Sequence, residues 1–267
     1  LWERRGEGTP LLFLPGGALD TVELTWSEVI QRLPENWHLT IADLPGYGRS
    51  GAPKEATTAW YATWLAALLD DLALLRPFVV ASSQGGAIAL SLACAQPARV
   101  AGLVLSGAYG VQARVRLHAV AARLVRLPGV AHVTRAVLRR RAVLRLLFPL
   151  AIRHPEALSH DLLEDARAGL APLDALEAFM AWLRDELRPE GCTTDLRPCL
   201  AGLLLPLLFI HGTHDPFVPL RAAEEAVRLA PDARLLPLDA AHLPPREHPD
   251  VVAEQVRVFV RAEVQTG

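Results

Sequence analysis

A serine set at a sharp strand-to-helix turn is placed for acyl transfer, and Ala81-Ser82-Ser83-Gln84-Gly85-Gly86 has that setting. An apolar run ends at residue 81, and a run rich in Ala, Leu and Ile follows Gln84. Such a turn strains the nucleophile's backbone and crowds the positions two before and two after it, so only small residues fit there. Ala81 and Gly85 meet that demand for Ser83, whereas Ser82 would need Gln84 to be small. The helix beginning at Gln84 aims unpaired N–H groups at the place where charge develops on an attacked carbonyl, which makes the Gln84 N–H one oxyanion donor. A serine hydroxyl also needs a base to remove its proton and a carboxylate to orient that base. Asp215 and four histidines, His211, His214, His242 and His248, lie late in the chain. As zinc ligands they would lack the His-Glu-x-x-His spacing of a metal-binding helix.

The punctuation of the chain describes the elements that must position these groups. Apolar runs at 11–14, 39–42, 78–81 and 100–105 each stop at a loop rich in Gly, Pro, Ser or Asp. Residues 24–33, 58–75 and 84–95 suit helices, the last with Pro97 just beyond its end. Short buried strands alternating with helices mean βα units around a mostly parallel sheet. From 111 to 197 the pattern is helical and no strand is evident. It is interrupted at Pro128-Gly129, Pro149, Pro155, Pro172 and Pro189. Strand-like runs return at 207–210 and 234–238, and a helix from 249 to 264 closes the chain. The expected organisation is an α/β core in two parts, 1–110 and 198–267, split by a helical cap at 111–197.

With these motifs in place the chain resembles the α/β-hydrolase fold superfamily, in its serine-nucleophile, esterase-like branch, over nearly everything except the insertion. Phe13-Leu14-Pro15-Gly16-Gly17 is similar to the family's His-Gly loop, with Pro15 where His is commonest, and the resemblance implies the Gly17 N–H as second oxyanion donor. Ala81 stands where the family usually has Gly. Asp43-Leu44-Pro45-Gly46-Tyr47-Gly48-Arg49-Ser50 looks like the family's structural loop after the next strand. The family orders its triad Ser, acid, His. His211-Gly212-Thr213-His214-Asp215-Pro216 matches the acid motif and Ala240-Ala241-His242-Leu243 the base motif, so the implied triad is Ser83, Asp215 and His242. Because Leu1 falls where the family's second strand runs, the usual first strand is expected to be missing.

The same resemblance prunes the chemistry. Dehalogenases and epoxide hydrolases of this fold carry Asp at the elbow, and the latter also use cap tyrosines; this chain has Ser83, and its tyrosines are Tyr47, Tyr61 and Tyr109. Hydroxynitrile lyases place a lysine in the site, and Lys54 lies away from the expected cap. Serine C–C hydrolases often have Trp after the catalytic His, where Leu243 stands. Hydrolysis of a carboxylic ester through an acyl-enzyme is the leading expectation. C–C, thioester or lactone cleavage comes next, and a non-catalytic binding protein is the reading from another class. No cofactor and no metal are implied.

Composition bounds the rest. At 267 residues, 51% hydrophobic and 21% charged, the chain is too apolar for disorder and has no collagenous or heptad repeat. Its longest nearly apolar run, 199–210, is interrupted by Gly202 and Pro206 and is shorter than the roughly 18 residues a membrane span needs, which points to a soluble protein. A net charge of −2 gives no field for nucleic acid. The expected partner is a small-molecule ester, with a homodimer left open. Three cysteines, Cys94, Cys192 and Cys199, make no disulfide scaffold, so a reducing, cytoplasmic home is expected and Cys94 reads as a buried small hydrophobe. Residues 111–155 hold ten arginines and no acidic residue. A solvated helix face is the plain reading of that stretch; anionic substrates, acidic partners or lipid surfaces are the functional ones.

Overall fold

The computed structural model describes residues 2–4, 6, 8–18, 20–157, 160–169 and 173–266. The first half runs Trp2–Arg4 (β1), Pro10–Leu14 (β2), Val22–Ile30 (α1), His38–Ile41 (β3), Thr58–Asp71 (α2), Phe78–Ser82 (β4), Ser83–Ala95 (α3) and Gly102–Ser106 (β5). An inserted segment follows, with helices His118–Leu124 (α4), Val130–Leu138 (α5), Arg141–Leu147 (α6), His160–Gly169 (α7) and Leu173–Glu186 (α8) and a hairpin of Leu187–Arg188 (β6) and Gly191–Cys192 (β7). The chain returns through Arg197–Leu200 (α9), Leu207–Gly212 (β8), Leu220–Leu229 (α10), Ala233–Leu238 (β9), Pro244–Glu247 (α11) and Pro249–Thr266 (α12).

Seven strands form one sheet in the order β1-β3-β2-β4-β5-β8-β9, parallel throughout except that β1 runs antiparallel to β3. The sheet thus opens on an antiparallel edge strand. Side chains alternate across β2 and settle the layers. Leu11 and Phe13 join Trp26 and Val29 of α1 and Val256 and Phe259 of α12 in one core. Leu12 and Leu14 join Tyr61, Leu65 and Leu69 of α2, Ile88 and Leu92 of α3, and the Ala222, Ala223 and Ala226 face of α10 in the other. Thr21 and Thr57 cap α1 and α2, each hydroxyl accepting the backbone N–H three residues on, at 3.1 Å.

Two sequence expectations need correction. The inserted segment is helical apart from β6 and β7, a hairpin of two residues a side that is too short to print an alternation on the sequence. Cys94 is half-buried at the end of α3 and forms a disulfide with Cys199 of α9, 105 positions away, leaving Cys192 as the free thiol. Their Cα atoms stand 6.0 Å apart, a proximity that only the folded sheet creates. The cysteine argument for a reducing compartment therefore falls. No helix among the described residues is long and apolar enough to cross a membrane.

Candidate active site

β4 ends at Ser82 and α3 begins at Ser83, with no loop residue between them. Ser83 adopts φ +46°, a left-handed angle that a residue with a Cβ holds only when its surroundings dictate it. They do so here: Ala81 is sealed in β4, and a Cβ on Gly85 would collide with the Pro15 carbonyl. The Ser82 hydroxyl is sealed inside the sheet, which removes it as a nucleophile. Ser83 lines a cavity of about 460 Å3 instead.

The carboxylate comes from the loop after β8. Asp215 Oδ1 accepts N–H bonds from Phe217 at 2.8 Å and Val218 at 3.0 Å, which leaves Oδ2 for His242 Nδ1 at 2.7 Å. With Nδ1 engaged, Nε2 is the ring nitrogen that remains for chemistry. Burial opposes charge on both partners, but their mutual attraction outweighs it. Asp215 is held below the usual carboxylate value, while the Asp215 charge and hydrogen bond, with a smaller push from Asp20, hold His242 above ordinary imidazole. His211 supports the loop from below. Burial pushes its pKa down, and as a neutral ring it donates from Nε2 to the Val218 carbonyl at 2.7 Å. Among the described residues no three His, Cys, Asp or Glu side chains gather as metal ligands.

Gly17, Ser83 and His242 line the same cavity. Gly17 tolerates no side chain, because a Cβ would strike the Gln84 side-chain oxygen and the Phe179 ring. Gln84 is buried, and its Oε1 accepts from the Tyr47 hydroxyl at 2.9 Å. Beyond this polar end the walls are apolar, with Leu24, Leu144, Phe148, Phe179, Trp182 and Leu243 among them.

Two carboxyl groups at the site escaped the sequence reading. Asp20 lies buried under the oxyanion loop, with Oδ2 accepting from Gly16 N–H and Oδ1 from the Thr25 hydroxyl, both at 2.6 Å; burial pushes its pKa up to about 6. Glu247 takes Ala241 N–H on Oε1 at 2.7 Å and the Arg153 and His154 N–H groups on Oε2, both at 2.8 Å. It joins the histidine loop to the inserted segment, which the Ala151 carbonyl also does by accepting from His242 N–H at 3.0 Å. Glu247 reaches across more than ninety positions to Arg153 and His154, and the partners of Asp20, Gly16 and Thr25, are near in sequence but form no motif that announces a buried carboxyl.

The alpha/beta hydrolase fold family matches residues 9–249. Among curated relatives, the pimeloyl-[acyl-carrier protein] methyl ester esterase of Aromatoleum aromaticum is 32% identical over 251 residues, which cover 88% of this chain and 92% of the relative. A thermophilic esterase from Thermogutta terrifontis superposes with a TM-score of 0.71 at 25% identity, over 98% of this chain and 92% of its own. A meta-cleavage product hydrolase from Pseudomonas fluorescens superposes with a TM-score of 0.81 over 98% of this chain and 93% of its own, but at 19% identity that likeness speaks only for the fold. A match across most of the chain and esterase relatives of nearly equal length agree with the serine elbow and the layered sheet: the chain belongs to the α/β-hydrolase fold superfamily, in its esterase-like serine branch.

Proposed function

We propose that the chain hydrolyses carboxylic esters with an apolar acyl part, using Ser83 as nucleophile, His242 as general base and acid, and Asp215 as the group that orients and charge-stabilises the imidazole. The observation that carries the reading is the 2.7 Å bond from Asp215 to His242 Nδ1, which turns Nε2 toward the remaining chemistry beside a cavity that Ser83 also lines. Ser83 Oγ bonds to the acyl carbon as its proton passes to His242 Nε2. His242 then returns that proton to the departing alkoxide, and water repeats the sequence on the acyl-enzyme. The Gly17 and Gln84 N–H groups receive the oxyanion, each a contribution of about 2.7 to 4 kcal/mol to the transition state. Residues 111–197 act as the cap that closes the acyl pocket. The relatives named as pimeloyl-[acyl-carrier protein] methyl ester esterases support methyl esters as substrates to try first.

A fluorophosphonate probe and a panel of aryl esters of graded acyl length test this. Covalent labelling is expected in the parent and absent in Ser83→Ala, with hydrolysis lower by at least about a thousandfold. Rates should rise with acyl length until the cavity is full. Labelling that persists in Ser83→Ala would overturn the assignment.

A further inference from the structure

Sixteen large hydrophobic side chains are exposed among the described residues, and nine of them fall between 117 and 150. Leu117, Val120, Leu124 and Leu127 follow one another at intervals of three, four and three, so they form one stripe along α4 and its flanks, and that stripe faces solvent. Val133 and Val137 repeat the pattern on α5, and Leu146, 76% exposed, stands on α6. A soluble monomer seldom leaves so many apolar groups together without a partner.

The same stretch carries the ten arginines and no acidic residue. Arg141 and Arg153 reach carboxylates outside it, Glu164 and Asp239, and Arg126 is spent on backbone carbonyls of residues 122, 184 and 187. Among the described residues no carboxylate lies within ion-pair distance of Arg116, Arg123, Arg139, Arg140 or Arg145, all of them exposed. Apolar side chains interleaved with unpaired cations are what an interfacial helix offers a bilayer. We infer that the outer face of the cap, α4 to α6, docks on an anionic lipid surface, with its leucines and valines in the acyl boundary and its guanidiniums on headgroup phosphates.

Charge complementarity decides between occupants. A second copy of this face would set arginine against arginine. An acidic protein would satisfy the cations but leave the α4 stripe against a polar surface, whereas a bilayer accommodates both. Of the nine exposed apolar groups between 117 and 150, Leu147 lines the Ser83 cavity and the other eight line neither of the two described cavities, so those eight project as separate anchors. Leu147 is 38% exposed and also lines the Ser83 cavity, as does Arg116, so the apolar pocket reaches this face. An apolar ester could pass from the lipid into the pocket without crossing water.

Flotation with phosphatidylcholine vesicles, with and without phosphatidylglycerol, is the test, run on the parent, Leu117→Ser with Leu124→Ser, and Arg139→Gln with Arg140→Gln. The parent should partition onto the anionic vesicles at least tenfold better than onto the neutral ones, and release as salt rises. Each arginine removed should weaken partition about fivefold, and the leucine pair should weaken it at least as much. A soluble short aryl ester, assayed without vesicles, should be hydrolysed equally by all three, which shows that the variants are folded. Failure of the parent to float, equal partition onto both vesicle types, or unchanged partition of the leucine variant would overturn the inference. So would arginine-dependent binding of an acidic carrier protein without any vesicle binding, or a dimer lost in the leucine variant.

Discussion

Asp20 sits where its two ionisation states have opposite consequences. Its buried carboxyl accepts from the Gly16 N–H and the Thr25 hydroxyl, yet ionisation still places a charge in a site that burial disfavours. Its folded pKa of about 6 lies above the ordinary 3.8, so the folded state binds more protons between those values and stability falls as pH rises from about 4 to 6. Asn keeps an acceptor for the Gly16 N–H and, with the Thr25 hydroxyl turned to accept from its NH2, a bond to Thr25, and it does not ionise. Asp20→Asn should therefore gain up to about 3 kcal/mol on the parent between pH 4 and pH 7, measured by urea unfolding at both. Catalysis moves too. As the proposed general base, His242 must be neutral to accept a proton, and its raised pKa should set the rising limb of kcat/KM above the ordinary imidazole value. Removing the Asp20 charge should shift that limb to lower pH, and an unmoved limb would separate the two groups. Ser83 was legible from sequence because its constraints are local: Ala81 and Gly85 lie two residues either side of it. Asp215 and His242 became legible only through family order, and Asp20 not at all, since what sets it apart is its burial, which the fold creates.

The strands were the easiest elements to anticipate. β4, β5 and β8 are buried along their whole length and stand out as unbroken apolar runs. α10 went unread because its buried face is made of small side chains, Ala222, Ala223 and Ala226, which form no apolar run even though Arg221, Glu224 and Arg228 mark the opposite face. Loops between elements carry the joint between the inserted segment and the sheet layers. Glu247 holds three backbone N–H groups from two of them, and Glu186, at the end of α8, accepts the Thr58 hydroxyl of the core and both donors of Thr194. Glu247→Ala leaves three donors without their acceptor at a cost of about 1 to 3 kcal/mol, and should lower kcat/KM about tenfold by freeing the histidine loop. Glu247→Gln should recover part of both. Urea unfolding alongside steady-state kinetics checks the pair; a stability loss without a kinetic loss would make Glu247 structural only.

At the scale of the molecule, the disulfide from Cys94 to Cys199 joins the helix that carries Ser83 to the first helix after the inserted segment. Closing a loop of that length removes up to about 4.7 kcal/mol of unfolded-chain entropy, so Cys94→Ser with Cys199→Ser should cost about 2 to 4 kcal/mol in urea unfolding. Sequence could not pair these residues, because 105 positions separate them and nothing local marks either one. The bridge also changes what a protease can do. Both cysteines lie outside 111–197, so the whole inserted segment is strung inside a covalent ring. A cut within that segment would open the ring without dividing the molecule: nicked protein should run as one band without reductant and as two with it, its elbow still tied to the half that brings Asp215 and His242.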